Sequence, residues 1–115
     1  MAQIAVVMVV LVAVLHVVFA AAETVGWSGF ARRMGYGPER IEATRQLAAN
    51  QGAYNFGVAA MLGWSLYGGQ AGAVSMLLLF IVAMSIVGAT TVRWTIFLIQ
   101  GVPAILALGC VTMLA

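Results

Sequence analysis

Residues 39–67, ERIEATRQLAANQGAYNFGVAAMLGWSLY, decide how this chain is read. The stretch opens with Glu39, Arg40, Glu42 and Arg45, passes through the amides Gln46, Asn50, Gln51 and Asn55, and ends as an apolar run. Pro38 and Glu39 suit a first helical turn, because Pro forgoes no hydrogen bond there and a carboxylate favours the positive end of the helix dipole. A helix over 41–67 would be about 40 Å long, against roughly 30 Å for the hydrocarbon core of a bilayer. It is therefore expected to project a turn or two before it crosses.

The remainder of the chain is more apolar still. Hydrophobic residues make up 64% and charged residues 7% of 115, with a mean hydropathy of +1.10. A soluble domain carries about a quarter charged residues, so this composition reads as an integral membrane protein. Because a spanning helix takes roughly 20 residues, the length accommodates four spans, short loops and no separate soluble domain. The sequence pI near 9.2 comes from five Arg, four of them at positions 32–45. That placement fits orientation in the membrane and anionic headgroups better than nucleic acid. Cys110 is the only cysteine, which excludes an intrachain disulfide and a cysteine-based metal cluster.

Working outward, residues 2–23 form a first span, with His16 inside it and Glu23 closing it. The length of its apolar run and the lack of a preceding basic residue favour a retained helix over a cleaved leader. Residues 24–38 hold Gly26, Gly29, Gly35, Gly37 and Pro38 among Trp27, Phe30 and Tyr36, which predicts an interfacial loop with at most one helical turn. The second span covers 43–67. An uncharged Gly-rich turn leads to the third at 72–89, and the fourth runs over 93–114. Pro103 predicts a kink near Gln100, whose amide is expected to satisfy the carbonyl that the proline frees. The fold expected is all-α, a single membrane domain over 1–115, a four-transmembrane-helix bundle with an interfacial loop between helices 1 and 2. With Arg32, Arg33, Arg40 and Arg45 around the first loop and Arg93 in the third, the positive-inside rule places both termini outside. For a bacterial inner membrane this means periplasmic termini, with loop 1 and the Arg93 turn cytoplasmic.

Glu42, Gln46, Asn50 and Tyr54 are each four apart and form one stripe on a helix, with Gln51 and Asn55 on an adjacent one. Such groups act as interhelical hydrogen-bonding glue or as a ligand or ion site, and the sequence leaves both open. His16 and Glu23 share a face of the first helix, about 10 Å apart along it. An ionised carboxylate is costly in lipid, so Glu23 is expected either to end the span at the headgroup level or to be paired, with Arg45 on the second helix as the candidate partner. One His, one Cys and three Glu support no metal site.

The runs LHVVFAAAETVGW (from Leu15), ARRMGYGPE (from Ala31) and LAANQGAYNFGVAA (from Leu47) closely resemble the DUF1304 family of small four-span bacterial membrane proteins. The NQGxYN segment from Asn50 to Asn55 is the most specific part. That resemblance implies a fold and no activity. Glu39, Arg40, Arg45 and Asn50 are also similar to a pattern in the second helix of the MAPEG group, four-helix membrane enzymes of eicosanoid and glutathione metabolism that form trimers. Ala53 and Tyr54 stand here where that group has an acidic residue.

Four functions are compatible with these residues. The first is a bundle with a polar intramembrane pocket of His16, Glu23, Arg45, Asn50, Gln51, Tyr54 and Asn55 that binds a lipid or other amphipathic ligand. The second is an accessory subunit of a larger membrane complex. A MAPEG-like enzyme would use Arg45 and Tyr54 to stabilise an anion, and a small proton-coupled exporter would use Glu23. The expected partners are the lipid bilayer and, as a homo-oligomer or complex subunit, other membrane chains, with no nucleic acid; no particular cofactor is implied.

Overall fold

A computed structural model describes residues 1–114, and every regular element among them is helical. The helices are α1 (Gln3–Glu23), α2 (Trp27–Arg33), α3 (Pro38–Tyr67), α4 (Ala71–Thr91) and α5 (Val102–Met113), the last entered through a π-helical turn at Phe97–Gly101. α1, α3, α4 and α5 pack in a closed ring, with α1 against α3 and α5 and with α4 against α3 and α5. The molecule measures 48 × 24 × 17 Å. α3 alone, 30 residues long, accounts for about 45 Å of that length at 1.5 Å per residue.

Each bundle helix contributes a narrow inward stripe. On α1 it is Ala5, Val9, Val12, His16 and Ala20, spaced four, three, four and four as one face of a 3.6-residue helix requires. Ala5, Val9 and Val12 meet Val58 and Leu62 of α3, Val74, Leu78 and Ile81 of α4, and Ala104, Ala107 and Val111 of α5 in one core. The outward faces are no less apolar. Val7, Val10, Val14, Val17, Leu79, Phe80, Ile86 and Leu106 are among many large hydrophobic side chains left exposed. α1 and α4, 21 residues each, are long and apolar enough to cross a membrane, and residues 97–113 form a shorter apolar helix. α3 is less apolar, with charged residues up to Arg45 and the amides Gln46, Asn50, Gln51 and Asn55 after them.

Gly52 sets how far α3 projects. It lies against α1's last turn, where a Cβ on Gly52 would come 3.0 Å from the Ala20 carbonyl oxygen and 2.6 Å from Thr24 Cγ2. The turns of α3 before Gly52 therefore extend past the end of α1. There α2 packs on them through a second, smaller core of Trp27, Ala31, Ile41 and Ala48. The Trp27 indole Nε1 donates to the Ile41 carbonyl oxygen at 3.3 Å and to Thr44 Oγ1 at 3.1 Å. Thus the loop expected over 24–38 contains a seven-residue helix.

α2 and α3 both stop at a left-handed glycine. Gly35 (φ +90°) and Gly69 (φ +66°) allow the next amide to reach back, Tyr36 to the Ala31 carbonyl and Gln70 to the Ser65 carbonyl, which satisfies orphan carbonyls at each helix end. Pro103 is accommodated differently from the sequence expectation. The Gln100 side chain makes no hydrogen bond among the described residues. The backbone instead widens by one residue, with Val102 N–H bonded to the Phe97 carbonyl, as π-turns do beside a missing donor. Gly101 permits this, because a Cβ there would lie 2.5 Å from Ser85 Oγ on α4.

Candidate functional site

Glu23 is the last residue of α1. Thr24 follows it and turns its hydroxyl back onto the Ala20 carbonyl at 2.7 Å, a second bond beside that from its own backbone N–H. On the opposing helix, the missing side chain of Gly52 brings α3 close, and one turn further on Asn55 points at Glu23. Asn55 is 8% exposed, and its Nδ2 donates to Glu23 Oε1 in a short hydrogen bond. Glu23 itself is half-buried. An ionised carboxylate offers about four acceptor positions, and Asn55 fills one. No other side chain among the described residues donates to Glu23, and no cation stands against it.

The partner expected from the sequence, Arg45, is engaged elsewhere. Its Nη2 donates to Glu42 Oε1 at 2.7 Å and to Ser28 Oγ at 2.8 Å. Arg45 thereby ties α2 to the projecting turns of α3, more than two helical turns from Asn55 along α3. The Arg45 hydrogen bond and charge hold the exposed Glu42 carboxyl below its ordinary pKa. The reach from Arg45 back to Glu42 is the pairing that their spacing implies.

His16 is buried two turns before Glu23. Its Nδ1–H donates to the Val12 carbonyl at 2.9 Å and its ring meets Phe19 edge-on at 5.5 Å. That hydrogen bond orients the imidazole along its own helix, leaving Nε2 as the acceptor of the neutral ring. Asn50, Gln51 and Tyr54 lie on exposed faces of α3, Tyr54 at 67%, and make no side-chain hydrogen bond among the described residues. The seven polar residues expected to share one pocket thus fall into four places. Glu23 and Asn55 form one contact, Arg45 belongs to the α2 junction, and Asn50, Gln51 and Tyr54 face outward, with His16 packed separately in the core.

Residues 54 and 55 show why. Neighbours on a helix differ by about 100°, so if Asn55 faces α1, Tyr54 and the stripe of Glu42, Gln46 and Asn50 must face away. Two open hollows mark the surface, one lined by Gly37, Pro38, Glu39 and Arg40 and the other by Met76, Leu77, Leu79, Phe80 and Ala83. Neither borders Glu23. No three His, Cys, Asp or Glu side chains converge as a metal site among the described residues. Sequence reasoning missed Gly52, whose absent Cβ lets α3 approach the last turn of α1 and so brings Asn55 to Glu23. The signal was a glycine flanked by amides in mid-helix, where the cost of about 1 kcal/mol relative to Ala points to a packing reason.

Residues 10–112 match the model of a family described as a protein of unknown function, DUF1304. No curated protein and no solved structure matches the chain.

Proposed function

The chain belongs to the DUF1304 family, and from its geometry we propose that it is a four-span membrane bundle that binds the polar head of an amphipathic molecule, such as a lipid, against Glu23 and Asn55. The carrying observation is the hydrogen bond between a half-buried carboxylate and a buried amide, with acceptor capacity left over. The pair sits where α1 ends and α3 continues, so a ligand with its tail along the apolar outer faces would present its head at this level. A hydroxyl, amide or ammonium donor on the ligand would complete the carboxylate. Exposed Gln51, one turn before Asn55 on α3, adds a donor and an acceptor at the rim.

Membrane residence is supported by the outward apolar faces, since soluble monomers rarely expose contiguous apolar surface beyond a few hundred Å². α3 crosses as the most polar span with its inward stripe shielded by α1, and α5 crosses with its π-turn. In this reading the arginine-bearing end is cytoplasmic, both termini are periplasmic, and the membrane is a bacterial inner membrane.

The test is to identify by native mass spectrometry what remains bound to the protein in native lipid nanodiscs. A specific amphiphile bound by wild type and lost from both Glu23→Gln and Asn55→Ala is the expected result. An empty wild-type protein, or identical bound species in all three, would reduce the pair to helix glue.

A second reading, a homo-oligomer or a subunit of a larger membrane complex, is favoured by the outer face of α3. A Cβ on Gly57 would have nothing within 4 Å, and Asn50 and Tyr54 are exposed on the same side of α3. Small residues at such positions allow close helix approach. Co-purification at fixed stoichiometry decides it.

A further inference from the structure

Every charged side chain of the protein gathers at one end of the bundle. Glu23 ends α1, Arg32 and Arg33 end α2, and Glu39, Arg40, Glu42 and Arg45 ride on the projecting turns of α3. Arg93, the one charged residue in the second half of the chain, joins them across the fold. Its Nη2 donates to the Met34 carbonyl oxygen at 3.2 Å, beside Arg33. The opposite end, with the Gly68–Gly69 turn, has no charged side chain at all.

Of the five guanidinium groups, Arg45 alone meets a carboxylate among the described residues. Arg32, Arg33, Arg40 and Arg93 are exposed and form no ion pair there. Three of them are nonetheless positioned. Arg32 Nε donates to the Ser28 carbonyl at 3.3 Å, Arg40 stacks 3.8 Å over the Tyr36 ring, and Arg93 is held by Met34. Exposed apolar side chains stand among them. Val25 is 93% exposed, Trp94, next to Arg93, is 68%, and Phe30 is 40%. A free anion or a nucleic acid would neutralise the guanidinium groups and leave those side chains in water. A bilayer surface accommodates both, with phosphates at the arginines and the apolar groups at the acyl boundary.

We infer that α2 and the α4–α5 connection together form a binding surface for anionic phospholipid headgroups, with Arg33 and Arg93 supplying the phosphate contacts and Phe30 and Trp94 entering the acyl boundary. This rests on the reading of the chain as a membrane bundle, and it is independent of the Glu23–Asn55 site. Because the Arg93 contact with Met34 brings the two loops to one place, removing either arginine weakens the same surface.

The experiment uses the full chain in nanodiscs of phosphatidylcholine, with or without phosphatidylglycerol, and quantifies co-purified lipid by native mass spectrometry. Wild type is expected to retain phosphatidylglycerol in preference to phosphatidylcholine. Arg33→Gln and Arg93→Gln should each lower that preference about fivefold, the effect of removing one basic residue from an anionic surface, while Arg33→Lys and Arg93→Lys keep most of it. If Arg93→Gln loses helical circular dichroism, Arg33→Gln carries the test, since the Arg33 side chain is exposed and makes no hydrogen bond or ion pair among the described residues. Equal retention of the two lipids, or Gln variants that behave as wild type, would overturn the inference. Displacement of phosphatidylglycerol by inorganic phosphate would also overturn it, in favour of a free-phosphate site. A wild type that does not enter phosphatidylcholine discs would overturn the membrane reading itself.

Discussion

An asparagine aimed at a carboxylate across a helix pair has one useful donor to give, and losing it leaves the carboxylate's own desolvation uncompensated. Asn55→Leu removes the donor that Glu23 accepts and is expected to cost about 1–3 kcal/mol, read as a lower melting temperature in detergent. Glu23→Gln keeps an amide acceptor for Asn55 and should cost less. Equal losses would mean that the contact contributes volume and no hydrogen bond. Glu42 behaves differently because it is exposed. Arg45 holds its carboxyl below the ordinary value, so the stabilisation from the pair is present above the carboxylate range and fades as pH falls through the lowered value. The effect on stability is small at so exposed a pair. The titration is the clearer readout, and the Glu42 midpoint should rise in Arg45→Gln.

At the scale of elements, the glycines of α3 separate packing from propensity. A Cβ at Gly52 meets the Ala20 carbonyl at 3.0 Å, whereas one at Gly57 meets nothing within 4 Å. Gly52→Ala is therefore expected to destabilise by roughly 1–3 kcal/mol through overpacking. Gly57→Ala should stabilise by up to about 1 kcal/mol from helix propensity, unless a second chain occupies that face. Thermal melts of both variants in detergent check the pair of signs.

The helices themselves were legible in the sequence. Residues 2–23 and 72–89 anticipate α1 and α4 to within two residues, and Pro38 and Glu39 mark the start of α3. The rotation of α3 was not legible. Four-residue spacing groups Glu42, Gln46, Asn50 and Tyr54 correctly on one face, but only the close approach at Gly52 decides that this face points away from α1 and that Asn55 points toward it. The same rotation gives Glu23 an amide partner in place of Arg45. The π-turn was half legible: Pro103 announced a disturbance near Gln100, while its form depends on Gly101 lying against Ser85 on α4, a contact between distant parts of the chain.

The whole molecule is a bundle with one charged end, one uncharged end and apolar flanks. The alternating course of α1, α3, α4 and α5 puts both termini at the end opposite the arginines. With Cys110 replaced by Ser, single cysteines at Gln70 and Ser28 should respond oppositely to an impermeant thiol reagent applied to intact cells, Gln70→Cys labelled and Ser28→Cys protected until the cells are opened. Labelling of both, or of Ser28→Cys alone, would refute that orientation. Whether Glu23 and Asn55 hold an amphiphile is decided by ligand-linked stability. Delipidated protein is melted with and without its native lipid extract, as wild type, Glu23→Gln and Asn55→Ala. Because a ligand that binds only the folded state raises stability by mass action, the account predicts a rise in melting temperature for wild type that both variants lose. An equal rise in all three would contradict it.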